Sequence, residues 1–565
     1  MPSRRVGREA PVSDPAEATD GLSSAEAVEV SSEELAVGER MAHDTLVVTV
    51  CTLLSRMTGF GRVLVAAAVL SNGPLGDTYH AANLIPNLLF ELVAGGVLQA
   101  VLVPAFVAAR RDSGDDGLGR ATGVVAGTIA GVLAVIAATV MLLAPLITWA
   151  LTALEDDPVL VADKRRLITP MLLVFIPQIV FYGIGMVTTA ALSARGRFAA
   201  AALAPAVNNV VVISCYLGFW AARDGDPASL QLDLLQFALL AGGTTLAVVA
   251  FTAVPGLVLS SQGLRWRLRW APRDPVVAAL RSTIGWAMLS VVGTLVPMGA
   301  AVVLGSGAPG GVAVFTIAFT FFVLPHALIA VPVATALAPR VAESWQRGRS
   351  SDAAALVERS MSVVVPLLSL ATAGLLALAF PIARVVASLG QAGSQGDAPI
   401  AHAVGAFGLG LMGYGIAVVM TRVTFGLDEV RRGARAVMVS AVSGVAVMVI
   451  ASSVVAGTDR AAALALGYGV AQTVSAVLLT RLVRTVIAAP TWEANGRLAI
   501  GSIIAAALAA GVMVLAQRPF ATDRAGSLAS IAVAGVAGSA VFAAAVVAFA
   551  GVRPGSVLMR GGRGR

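Results

Sequence analysis

Arg56 and Arg62 stand six residues apart in an apolar run that begins at Thr45, and a guanidinium in such a place calls for an anion. At a rise of ~1.5 Å per residue, Arg56 lies about 16 Å into a membrane-crossing helix, near the middle of a bilayer core. Inserting that charge costs at least ~2.5–3.5 kcal/mol, so an arginine at this depth normally faces a wet cavity or a partner and marks a substrate path. Its planar fork pairs bidentately with phosphate oxygens and stays charged at any working pH. On a straight helix the two side chains would diverge by ~120°. Gly59 and Gly61 between them would let the turn loosen, so that both could face one cavity. The alternative is a pair of structural arginines bonded to neighbouring carbonyls.

A second apolar arm follows the hinge at Ser71–Asp77 and carries Asp77, Asn83, Asn87 and Glu91. Glu91 lies one and a half turns past Pro86, where an isolated carboxylate must be neutralised or paired. Arg56 and Arg62 on the adjoining arm are its nearest candidate partners. Arg56, Arg62, Asp77, Asn83, Asn87 and Glu91 are the candidate substrate-binding residues. Gly59, Gly61, Gly95, Gly96 and Pro325 are the expected hinges, with ordinary small-residue helix packing as the alternative reading.

The elements that position these residues are membrane helices. With 57% hydrophobic and 13% charged residues, the chain far exceeds a soluble protein's apolar fraction. Windows of about twenty residues give about fourteen spans. They imply an all-α polytopic protein of two six-helix lobes, 44–261 and 276–487, joined by a basic linker, 262–275, with two further helices over 488–552. Residues 1–43 are acidic and poor in large apolar side chains, as a disordered cytoplasmic tail would be, and 553–565 form a basic cytoplasmic tail. Met41 immediately precedes the first apolar run and is an alternative start.

Of 39 basic residues, all arginine except Lys164, placing the tail in the cytoplasm leaves 29 on cytoplasmic segments and eight outside. That bias orients the chain with both termini inside. Its densest cluster, L-R-W-R-L-R-W-A-P-R over Leu264–Arg273, reads as an interfacial anchor. Positive charge of this kind belongs to membrane loops and implies no nucleic-acid partner. Four scattered histidines and two cysteines within predicted helices give no metal-ligand spacing, and no nucleotide or nucleophile motif is present. No cofactor and no enzymatic activity are expected.

The run S-R-M-T-G-F-G-R, then G-P-L-G-D, then P-N-L-L ahead of a small-residue segment ending V-P, resembles the opening of the MurJ (MviN) family. Its members are lipid II flippases of the bacterial inner membrane, within the superfamily that includes MATE-type exporters. The resemblance implies transfer of a diphosphate-linked, lipid-anchored cell-wall precursor, with membrane lipids and cell-wall synthesis proteins as further partners. It also implies cavity roles for Arg56 and Arg62 and places Asp77 at the outer end of the hairpin. Phe90 and Glu91 stand where many members have two arginines, and Thr320 where many have one, so a less cationic cavity is expected. The variant P-N-L-L-F-E-L-V-A-G-G-V-L resembles actinobacterial members. Two other readings remain: a MATE-like exporter of drugs or of another polyprenyl-linked saccharide, and a membrane scaffold for cell-wall machinery.

Overall fold

In lipid every backbone amide must be satisfied within the protein, which leaves helices or closed barrels as spanning elements. The computed structural model describes residues 47, 50–70, 73–94, 97–223, 229–389, 396–487 and 492–550, and every regular element among them is helical. The tails expected over 1–43 and 553–565, the candidate start at Met41 and the pair Gly95–Gly96 lie outside the described residues.

The first half comprises α1 (Val50–Leu70), α2 (Pro74–Ala94), α3 (Val97–Leu142), α4 (Ala144–Leu151), α5 (Pro158–Phe175), α6 (Gln178–Ala194), α7 (Ala199–Ala221), α8 (Leu234–Phe237) and α9 (Gly243–Ser261). The second comprises α10 (Pro275–Gly305), α11 (Gly311–Gln346), α12 (Ser350–Ala377), α13 (Ala379–Leu389), α14 (Ala398–Gly426), α15 (Val430–Val454) and α16 (Arg460–Val486), followed by α17 (Trp492–Ala516) and α18 (Arg524–Ala550). Most buried side chains of α1 to α9 fall in two clusters, one around Phe175 that also takes in Val302 and Val312 of the second half, and one around Phe106. Those of α10 to α16 form a third around Phe322 and Phe407, and α17 and α18 pack on α12 through small residues such as Ala373 and Ala505.

Thirteen helices among the described residues are long and apolar enough to cross a membrane. Against the fourteen spans expected, the difference lies in α2, which is of spanning length but carries Asp77, His80, Asn83, Asn87 and Glu91. One of the thirteen, Leu102–Leu142, is broken at Ser113 and Gly114, so its two arms belong to successive crossings. Gly114 has φ 64°, a left-handed conformation that an L side chain resists, and the chain reverses there.

The basic linker is an extended strap along α3. Gly119, Gly123, Gly127 and Gly131 recur every fourth residue, hence on one face of that helix. A methyl group on them would overlap the backbone of Arg265, Arg267 and Arg269 and the ring of Trp270 in turn. Arg269 N donates to Gly123 O at 3.0 Å, Ala271 N donates to the Thr128 hydroxyl at 3.2 Å, and Arg120 pairs with Asp274 at 2.9 Å. Asp274 also caps α10 through Val276 N at 3.1 Å. The strap thus lies in a groove that only glycine leaves open, while its arginines stay exposed. Gly123→Leu is expected to lower stability by ~1–3 kcal/mol through overpacking. It should also open the strap arginines to trypsin in the folded protein, and unchanged cleavage would contradict this packing.

Candidate functional site: the cavity between the halves

Helix α1 runs unbroken through Gly59 and Gly61, so the loosened turn expected there is absent from this conformation. Gly59 instead admits Asn209 of α7, whose amide donates to Ser55 O and to the Thr58 hydroxyl, both at 3.3 Å. With the helix regular, Arg56 and Arg62 diverge and face different halves. Arg62, half-buried, lies in electrostatic reach of Tyr79, His80, Tyr182 and Tyr216. Arg56, exposed, lies in reach of His326 on α11, one residue past Pro325. Among the described residues neither guanidinium has a hydrogen bond or a carboxylate pair, which disfavours the reading of both as carbonyl-bonded structural arginines.

Each arginine is backed by an ordered aromatic wall. On the first half, Tyr216 donates to the Tyr79 hydroxyl at 2.9 Å, which meets Thr244 at 2.8 Å, and Thr244 donates on to Leu240 O at 2.7 Å. A directed chain of this kind satisfies three buried hydroxyls at once. On the second half, His326 lies 4.1 Å from Tyr414, ring centre to ring centre, beside Phe322, Phe407 and Tyr468. The His326 Nδ1 is buried and without a hydrogen-bond partner among the described residues. Phe60 of α1 meets Phe321 of α11 edge to face at 5.6 Å, which joins the walls. Helix α11 is continuous through Pro325, which makes no break in this conformation.

Asp77 does not stand open to substrate here. It is 3% exposed, and its two carboxylate oxygens accept from Gly310 N at 2.8 Å and Ala313 N at 2.9 Å. The first turn of a helix leaves its N–H groups without intrahelical partners and carries partial positive charge, so a carboxylate is well matched to it. The α1–α2 hairpin is thereby clasped to the start of α11 in the other half. Nearby, the Arg460 guanidinium donates to Gly307 O at 2.6 Å, and Lys164 pairs with Glu155 in a nearly dry site. That face of the bundle is closed.

Along α2 exposure grows away from the clasp. Leu75 through Thr78 are buried, Asn83 is half-buried, and Asn87 and Glu91 are exposed, so the cavity opens toward the face that carries the strap. Glu91 was expected to pair with Arg56 or Arg62. The guanidinium in its electrostatic reach is instead Arg422 of α14, across the cavity and not in direct contact. Arg422 is a charge inside an apolar span, the same signal that singled out Arg56. Its half-buried side chain adds a positive charge within electrostatic reach of Glu91. Glu91→Gln is expected to bind a diphosphate ligand at least as tightly as the parent chain, since a competing anion is gone, while turnover slows. Weaker binding by a correctly folded Glu91→Gln protein would contradict a competing role.

A family profile described as "Lipid II flippase MurJ" matches residues 66–533. A probable lipid II flippase MurJ of Rhizobium tropici is 29% identical over 363 residues, 64% of this chain and 66% of that protein, so the aligned stretch spans slightly less than two thirds of the relative. The lipid II flippase MurJ of Burkholderia cenocepacia is 23% identical over 65% of this chain and 70% of its own length. Among solved structures, a lipid II flippase MurJ in an inward closed conformation superposes with a TM-score of 0.69 at 16% identity, covering 89% of this chain and 98% of that one. An inward-facing MATE transporter superposes with a TM-score of 0.61 at 15% identity, over 78% and 98%. At these identities the superpositions establish a shared fold, that of an all-α multi-pass membrane protein. The profile covers most of the sequence, and the chain belongs to the MurJ lipid II flippase family.

Proposed function

We propose that the chain moves a lipid-linked cell-wall precursor of the lipid II class from the cytoplasmic to the outer leaflet of the bacterial inner membrane, by alternating access, with both termini cytoplasmic. The observation that carries this reading is the pair of uncompensated guanidiniums, Arg56 and Arg62, in a cavity sealed at Asp77 and open at the arginine-rich face. A diphosphate entering there would be met by Arg62 from one wall and Arg56 from the other, while its isoprenoid tail stays in lipid. About two negative charges moving outward down an inside-negative potential would gain roughly 4–5 kcal/mol per 100 mV. The chemistry is binding and release; no bond is made or broken.

The test is rescue of a bacterium depleted of its own lipid II flippase, with thermal stability measured against lipid II and against a cationic dye. Rescue together with stabilisation by lipid II is the expected result. A chain that inserts well, fails to rescue and is stabilised only by the dye would instead be a MATE-like exporter, although arginines at the cavity centre repel such cargo.

A further inference from the structure

A cavity of about 330 Å³ lies at the clasped face, outside the transport route, where α13, α17 and the turn into α18 converge. Its lining combines the aromatic rings of Phe380 and Phe520 with the guanidiniums of Arg384 and Arg518. Arg384 is held from behind. Its Nε meets Asp397 at 3.2 Å and its guanidinium lies 5.9 Å over the Phe380 ring, which leaves the two terminal nitrogens without a described partner. Arg518 is exposed and has no ion pair among the described residues. Gln517 donates to Ala377 O at 3.1 Å, which leaves its carbonyl oxygen free and ties the end of α17 to α12. Two arginines and one carboxylate leave the site with excess positive charge.

The surroundings select among anions. Leu515 and Leu528, on the last turn of α17 and the first of α18, are 57% and 50% exposed, so the pocket sits at the rim of a lipid-facing apolar surface. A soluble anion would use the arginines alone, whereas a lipid would place its phosphate between them and its chain along α17 and α18. Two guanidiniums suit phosphate oxygens through charge-assisted, bidentate bonds. Basic pockets between membrane helices hold anionic headgroups by the same chemistry.

We propose that this pocket binds the phosphate of an anionic lipid headgroup. In the orientation proposed above that lipid belongs to the outer leaflet, which rests on the proposed function; the binding itself does not. Two sources share the chemistry: an ordinary anionic glycerophospholipid and a polyprenyl diphosphate.

Native mass spectrometry of the full chain released from phosphatidylglycerol nanodiscs tests the site, with phosphatidylcholine nanodiscs as the control. The parent chain is expected to retain phosphatidylglycerol in preference to phosphatidylcholine. The double variant Arg384→Ala/Arg518→Ala should lower retention at least tenfold. Because loss of Arg384 also removes the Asp397 pair, Arg518→Gln is the second variant; its side chain is exposed and unpaired, and it should weaken retention by itself with an unchanged melting curve. Competition with a polyprenyl diphosphate identifies the source: displacement from the parent chain points to the carrier lipid, and its absence to the bulk phospholipid. Equal retention by parent and both variants would overturn the site whatever the outcome of the rescue experiment.

Discussion

Arg56→Ala and Arg62→Ala are each expected to abolish rescue of flippase-depleted cells while the protein still reaches the membrane. Hydrogen bonds to charged groups contribute ~1.5–3 kcal/mol each, so losing even one of those a fork makes costs roughly 10- to 150-fold in affinity. The two losses should not simply add, because both residues would engage one diphosphate. They face different walls, Arg62 toward the tyrosines of the first half and Arg56 toward His326 of the second, so neither can substitute for the other. Lysine should rescue poorly, since a point charge lacks the planar fork. Normal growth with both arginines removed would sink the flippase reading.

Asp77→Ala is expected to unlatch the clasped face. Two charge-assisted bonds to amides of α11 would be lost, at ~1.5–3 kcal/mol each, together with the favourable placement of a carboxylate at a helix N-terminus. The observable is Val312→Cys, a position 1% exposed beneath the clasp. Its labelling by a membrane-impermeant maleimide should quicken at least tenfold in the Asp77→Ala background, with loss of rescue. Asp77→Asn, which keeps one acceptor oxygen, should fall between. Unchanged labelling in Asp77→Ala would mean that packing around Leu75 and Val312 holds the face shut without the carboxylate.

The membrane helices were legible because apolar runs of spanning length have few other uses, and the first hairpin because charge at depth is conspicuous. Arg422 carried that same signal within the run Ile400–Phe425, yet the expected pairing of Glu91 was drawn along the hairpin, where sequence proximity favoured Arg56 and Arg62. Asp77 shows a different limit. Its partners are backbone amides 233 and 236 residues downstream, and an amide leaves no mark in the sequence. The glycines of α3 look like a helix-packing stripe; that an extended strap fills it is a long-range contact that periodicity does not encode. Asn209 was hidden for a similar reason, since a lone amide in an apolar helix does not announce that it grips the turn at Ser55.

The strap also changes the mechanics of α10. That helix begins at Pro275, immediately after the Asp274 pinned to Arg120, and its far end at Gly305 leads into the turn that Asp77 clasps. Its 31 residues span ~46 Å. With both corners held it is a beam fixed at two supports; with Asp77 released, and the Arg460 hold on Gly307 O broken with it, the helix becomes a lever on a single one. Each degree of rotation about the Arg120–Asp274 corner would then carry the free end ~0.8 Å, a length of helix turned into travel. Displacement is least where the strap lies and greatest where the clasp was, so the fulcrum and the opening sit at opposite faces of the membrane.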